Sequence, residues 1–195
     1  MVHSNRVRNH LARESFTLKM IKKLKIIRPC TNLKPHIIKP FNKRIIDIIF
    51  FEKYGDLDRS MQGAHLIELF KNSSLKMQIL KYGNYSKIDM INIANDSKFI
   101  IYFSFFDTGA IGLKEIQNYG VIAFSHQKDL LIDNYTSYYI PELADEYNMK
   151  AAYIKIREKI KKIIQLNPDS TFIAKKNQEI NKWENALDDL CKSLL

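Results

Sequence analysis

The chain has 195 residues, 46% of them apolar or aromatic and 27% charged, with a formal net charge of +10. That length suits one domain with an appendage, and no uncharged apolar run approaches the ~18–20 residues that span a bilayer. Two cysteines, Cys30 and Cys191, form no disulfide framework or metal quartet, and the basic start lacks the apolar core of a secretory leader. An intracellular, cytoplasmic setting is expected.

Residues 1–23 alternate basic and apolar side chains at helical spacing. "LKIIRP" reads as a short strand stopped by Pro29, and the segment around Pro35 and Pro40 as a linker. Residues 1–50 hold twelve Lys or Arg against Glu14 and Asp47, so the whole net charge lies in this quarter. Such an excess reads either as an electrostatic footprint for a polyanion or as a solvated appendage. No aromatic stacking pattern accompanies it, so nucleic acid is not expected as a partner. The expected division is a basic segment and linker at 1–44 and an α/β domain at 45–195.

From residue 45 the rhythm becomes regular. "IIDIIFF" (45–51) has the continuous β-branched and aromatic content of a buried strand. A helix follows over 56–74, capped by Asp58, with Leu66, Ile67 and Phe70 as its apolar stripe. A strand is expected at 75–83, and a helix at 85–96 with Ile88, Ile91, Ile93 and Ala94 on one side. A third strand (98–106), a helix from Gly109 to Tyr119, a fourth strand (120–125) and a short fifth (136–143) complete the alternation. Helices are expected over 144–166 and again after Pro168. Strands and helices alternating at this spacing predict a Rossmann-like fold, a small parallel sheet flanked by helices, with helices at the C-terminus.

In open α/β sheets ligands bind outside the carboxyl ends of the strands. "SFFDTGAIGLKEIQNYGVIAF" (104–124) places Asp107, Thr108 and Gly109 at such an end, where a helix start offers unpaired N–H groups and the positive end of its dipole. Gly109 would admit a phosphate close to the backbone, and Glu115 follows Asp107 by roughly 12 Å along the helix. The same residues also suit a plain N-cap and a solvated helix carboxylate. Asp-Leu-Asp at 56–58 matches a short metal-diphosphate pattern but equally a helix cap. His126, just after the fourth strand, reads as a ligand-edge contact or a polar loop residue. No Walker-type loop or Gly-X-Ser-X-Gly elbow is present.

The 104–124 stretch resembles the donor-binding segment of retaining glycosyltransferases of the GT-B fold, the group-1-like family. That family carries an acid, seven residues and a glutamate before an apolar helix and a Gly-Val or Gly-Pro strand. Here these are Asp107, Glu115 and Gly120–Val121, with aspartate where the family usually has glutamate. The resemblance implies that Glu115 binds the ribose hydroxyls, that Asp107 lies near the donor sugar, and that the amides of Thr108, Gly109, Ala110, Ile111 and Gly112 hold the diphosphate. It assigns Lys53 and Arg59, in the loop after the first strand, to neutralising the diphosphate, and Tyr82 and Gly83 to flanking the base. It further implies glycosyl transfer from a nucleotide-diphosphate sugar, with no metal and no other cofactor. The acceptor domain would precede this chain, so a separate acceptor-domain chain or a homo-oligomer is an expected partner. The rival reading is a non-catalytic binding module that uses the basic quarter to contact a polyanion or a protein.

Overall fold

A computed structural model describes residues 31, 35, 37–52, 57–81, 83–103, 110–127 and 136–180. It is an α/β fold built on a five-stranded, wholly parallel sheet of order β2-β1-β3-β4-β5, flanked by helices in the Rossmann-like manner. The strands are β1 (Ile46–Glu52), β2 (Met77–Lys81), β3 (Ser97–Phe103), β4 (Ile122–Ser125) and β5 (Ser137–Tyr139). The helices are α1 (Leu57–Lys71), α2 (Lys87–Asp96), α3 (Ile111–Gln117), α4 (Met149–Leu166) and α5 (Ser170–Ile180). No described helix is long and apolar enough to cross a membrane.

The two faces of the sheet are written in period two. Ile48 and Phe50 of β1, Phe99 and Ile101 of β3, and Ile122 and Phe124 of β4 join Leu66 and Phe70 of α1 and Ile156 and Ile160 of α4 in one core. Ile49, Phe51, Ile100, Tyr102 and Ala123 point the other way, onto Met90 and Ala94 of α2 and Leu113 and Ile116 of α3. Apolar side chains on both faces are what a parallel sheet between two helical layers requires. Continuous strands such as "IDIIFFE" therefore read as apolar runs rather than as alternation.

Several boundaries differ from the sequence reading. Asp58 is the second residue of α1 and not its cap, because the helix starts at Leu57. In α2 the buried face is Met90 and Ala94, while Ile88 is 70% exposed. Ser86 caps that helix and fixes its start at Lys87. The fifth strand stops at Tyr139, and Pro141 opens a 3-10 turn at Pro141–Ala144. A second 3-10 turn, Glu146–Asn148, delays α4 until Met149. After α4 the chain turns at Asn167 (φ 43°) and Pro168, and Asp169 Oδ1 accepts from Thr171 N–H (2.8 Å) to start α5.

The turn carries the chain around the amino edge of the sheet, so that α4 covers one face and α5 packs on α3. Asn177 Nδ2 donates to Gln117 O (2.7 Å) and Gln178 Nε2 to Asn118 O (3.1 Å). Gly120 makes this closure possible. Its φ is +78°, and a Cβ there would lie 2.3 Å from Ser170 O. On the same edge Arg44 is buried, and its guanidinium donates to Lys39 O (3.0 Å), Ser97 O (2.5 Å) and Tyr119 O (2.5 Å).

Candidate functional site

The winding of the sheet selects one place on its carboxyl edge. From β1 the chain moves out to β2, then returns across β1 to β3 and continues to β4 and β5. β1 and β3 are hydrogen-bonded neighbours to their last described pair, Glu52 and Phe103. The helices that follow them go to opposite faces, α1 into one core and α3 into the other. Such a reversal opens a crevice between the two strand ends, the switch point at which open α/β sheets take ligands.

The described residues around this point come from three elements. Phe51, near the end of β1, is buried under α3 and stacks on Tyr102 of β3, with ring centroids 5.5 Å apart. A Cβ on Gly112 would sit 3.3 Å from Phe51 Cζ, so a glycine in the first turn of α3 lets the helix approach the strand. Tyr85, half-buried in the turn after β2, lies with its ring 6.0 Å from that of Phe51. The same turn holds Gly83 at φ +86°, with nothing within 4 Å of an added Cβ. The turn is open above its backbone and aromatic on its inner side.

Glu115 completes the neighbourhood. It lies in the second turn of α3, and Lys87, the first residue of α2, makes an ion pair with its Oε1. The carboxylate side chain is 16% exposed and the lysine 50%. The pair thus bridges the two helices that flank the crevice on one face. Beneath it, burial pushes the Tyr119 hydroxyl pKa above its ordinary value, and the nearby Glu115 charge adds to the rise. A phenol so placed stays protonated and neutral. The chain at Ala110 takes the left-handed conformation (φ 46°) before α3 begins. The first ladder bond of the helix is Lys114 N–H to Ala110 O (3.0 Å). Helix geometry leaves the amides of Ile111 and Gly112 outside that ladder.

Of the residues assigned from sequence, Gly83, Ala110, Ile111, Gly112 and Glu115 are brought to this edge. Lys53, Tyr82, Asp107, Thr108 and Gly109 lie outside the described residues, and Arg59 is described only as a position in the first turn of α1. His126 follows β4 at the same edge, with both ring nitrogens shielded from solvent. Lys87 and Tyr85 carry no assignment from sequence. The signal for Lys87 is a cation at the first position of a helix, where the dipole disfavours it and a compensating anion is called for. A scan against protein-family models and a search of curated proteins find no match to the chain.

Proposed function

We propose that residues 45–195 form the donor-binding domain of a GT-B-type glycosyltransferase, which takes a nucleotide-diphosphate sugar in the β1/β3 crevice. The observation that carries this reading is the ion-paired Glu115 on α3, set beside the switch point of a parallel sheet. A carboxylate fixed there is suited to accept two ribose hydroxyls. The open backbone at Gly83 and the half-buried Tyr85 ring leave room for a base on one side, and the start of α3 supplies amides on the other. By the resemblance, Lys53 and Arg59 neutralise the diphosphate and Asp107 lies near the sugar. Departure of the diphosphate is then stabilised by fixed cations and amides, without a metal. The acceptor side of the cleft comes from a separate chain or domain, so this domain binds the donor and turnover requires the partner.

The test is calorimetric titration of the chain with nucleoside diphosphates and a panel of nucleotide-diphosphate sugars, with Glu115→Ala alongside. Binding that the substitution weakens at least tenfold, about 1.4 kcal/mol, supports the reading. Folded protein that binds none of them, or binds them equally well without Glu115, refutes it.

A further inference from the structure

The second surface of note lies on the opposite face of the sheet. Residues 51–195 hold nineteen basic and nineteen acidic side chains, yet α4 alone holds six Lys or Arg and one acid, Glu158. The helix buries Met149, Ala152, Ile156, Ile160 and Ile163. Lys150, Ile154, Arg157, Lys161 and Ile164, spaced four, three, four and three apart, form a stripe on its outer side. Ile154 is 47% exposed and Ile164 38%.

A groove of about 460 Å³ runs beside this stripe, between α4 and the chain entering β2, with Leu75, Tyr153, Ile154 and Ile164 in its apolar lining and Arg157, Lys161 and one carboxylate, Glu158, in its charged lining. Arg157 is held in place by Tyr153, whose hydroxyl accepts from Nη1 (3.1 Å) and whose ring lies 5.4 Å from the guanidinium carbon. Lys155 is engaged by Glu142, and Lys159 lies over the Tyr138 ring. Among the described residues, Lys150, Lys161 and Lys162 make no ion pair.

We propose that the outer face of α4 and its groove dock on a bilayer rich in anionic lipid, with headgroup phosphates at Arg157 and Lys161 and with Ile154 and Ile164 entering the acyl boundary. The cations of this stripe meet the negative potential of such a surface, and the exposed aliphatic side chains beside them add apolar contact. A single-stranded nucleic acid would instead call for exposed aromatic platforms along the basic track, and this stripe has aliphatic residues there. Docking through α4 leaves the face that carries Glu115 turned away from the lipid, so the surface is independent of the donor-site reading.

The experiment is vesicle co-sedimentation of the full chain at low salt, with phosphatidylcholine alone and with roughly 30% phosphatidylglycerol added. The wild type is compared with Lys150→Gln/Arg157→Gln/Lys161→Gln and with Lys22→Gln/Lys23→Gln/Lys25→Gln, which removes the same charge from the basic N-terminal segment. Each cation near an anionic surface contributes several-fold to partition. The α4 variant is therefore expected to bind anionic vesicles at least tenfold more weakly, and the N-terminal variant within threefold of wild type, with circular dichroism unchanged in both. Ile154→Trp in a Trp183→Phe background should shift its indole emission to the blue on anionic vesicles. The proposal is overturned by wild-type binding in the α4 variant, by equal affinity for both vesicle types, by no binding, or by an unshifted emission from the bound Ile154→Trp protein. It is also overturned if a labelled single-stranded oligonucleotide binds in an α4-dependent way and vesicles do not.

Discussion

Lys87 and Glu115 are single residues whose pairing has consequences out of proportion to its strength. The lysine is half-exposed, so the ion pair contributes about 0–1 kcal/mol to stability. If Glu115 takes the ribose as proposed, the pair matters more to the ligand than to the fold, because it engages one carboxylate oxygen and so orients the group for hydroxyl donors. Lys87→Met is expected to leave the melting temperature nearly unchanged while altering nucleotide affinity three- to tenfold; a thermal melt and a titration on one preparation check both halves. Two glycines make the opposite case. Gly120→Ala meets both a left-handed φ and a backbone carbonyl 2.3 Å away, and should cost about 3 kcal/mol or more in urea unfolding. Gly112→Ala meets only the edge of the Phe51 ring at 3.3 Å. That ring can give way by a few tenths of an ångström, so the loss should be about 1 kcal/mol.

Among the elements, α2 states its own start most clearly. Ser86 accepts from Asp89 N–H (3.1 Å) while the Asp89 carboxylate accepts from Ser86 N–H (3.0 Å) and Oγ–H (2.6 Å), a reciprocal capping box. These bonds, the side-chain one first, hold the Asp89 carboxyl below its ordinary pKa of 3.8. A depressed folded-state value gives a contribution that is complete above 3.8 and is lost as pH falls through the lower folded value. Ser86→Ala should therefore cost about 1 kcal/mol at neutral pH, with the gap from wild type narrowing below pH 3.8; unfolding curves at two pH values test this. Strands and helices are legible in the sequence where burial is continuous, as in "IDIIFFE", since both faces of a parallel strand are apolar. The stripe of α2 is not, because its five apolar residues, Ile88, Met90, Ile91, Ile93 and Ala94, fit more than one face, and packing on the sheet selects Met90 and Ala94 and leaves Ile88 outward. The short fifth strand reads too long because apolar residues continue at Ile140 and Leu143 after the strand has ended at Tyr139, the latter inside the 3-10 turn that Pro141 opens. At the candidate site Glu115 is singled out by the resemblance, since its spacing from Asp107 equally suits a solvated helix carboxylate. Lys87 is not, because its partner lies 28 residues away across two elements.

At the scale of the whole molecule the two edges of the sheet differ in character. The amino edge gathers bonds that close the fold. Asp47 takes Lys98 Nζ (2.7 Å) on one oxygen and Lys76 N–H (2.9 Å) on the other. Arg44 ties the segment before β1 to the start of β3 and the end of α3. Burial lowers the Arg44 pKa from its ordinary value to about 10, against the opposing pull of Asp96. That fall corresponds to roughly 3 kcal/mol spent on keeping the charge there. Three bonds from a charged donor, at about 1.5–3 kcal/mol each, outweigh it. Arg44→Met removes the desolvation cost together with the bonds and leaves three carbonyls short of a donor, so the expected loss is about 2–4 kcal/mol. The carboxyl edge has the reverse character, with a half-exposed ion pair and a turn open at Gly83. Substitutions should therefore separate by edge. Arg44→Met should lower the urea midpoint and leave the nucleotide dissociation constant of the folded fraction unchanged. Glu115→Ala should weaken nucleotide binding and leave the unfolding free energy within about 1 kcal/mol of wild type. If Arg44→Met instead weakened binding in protein that is still fully folded, the crevice would be coupled to the amino edge through β3 and α3, and the separation of the edges would fail.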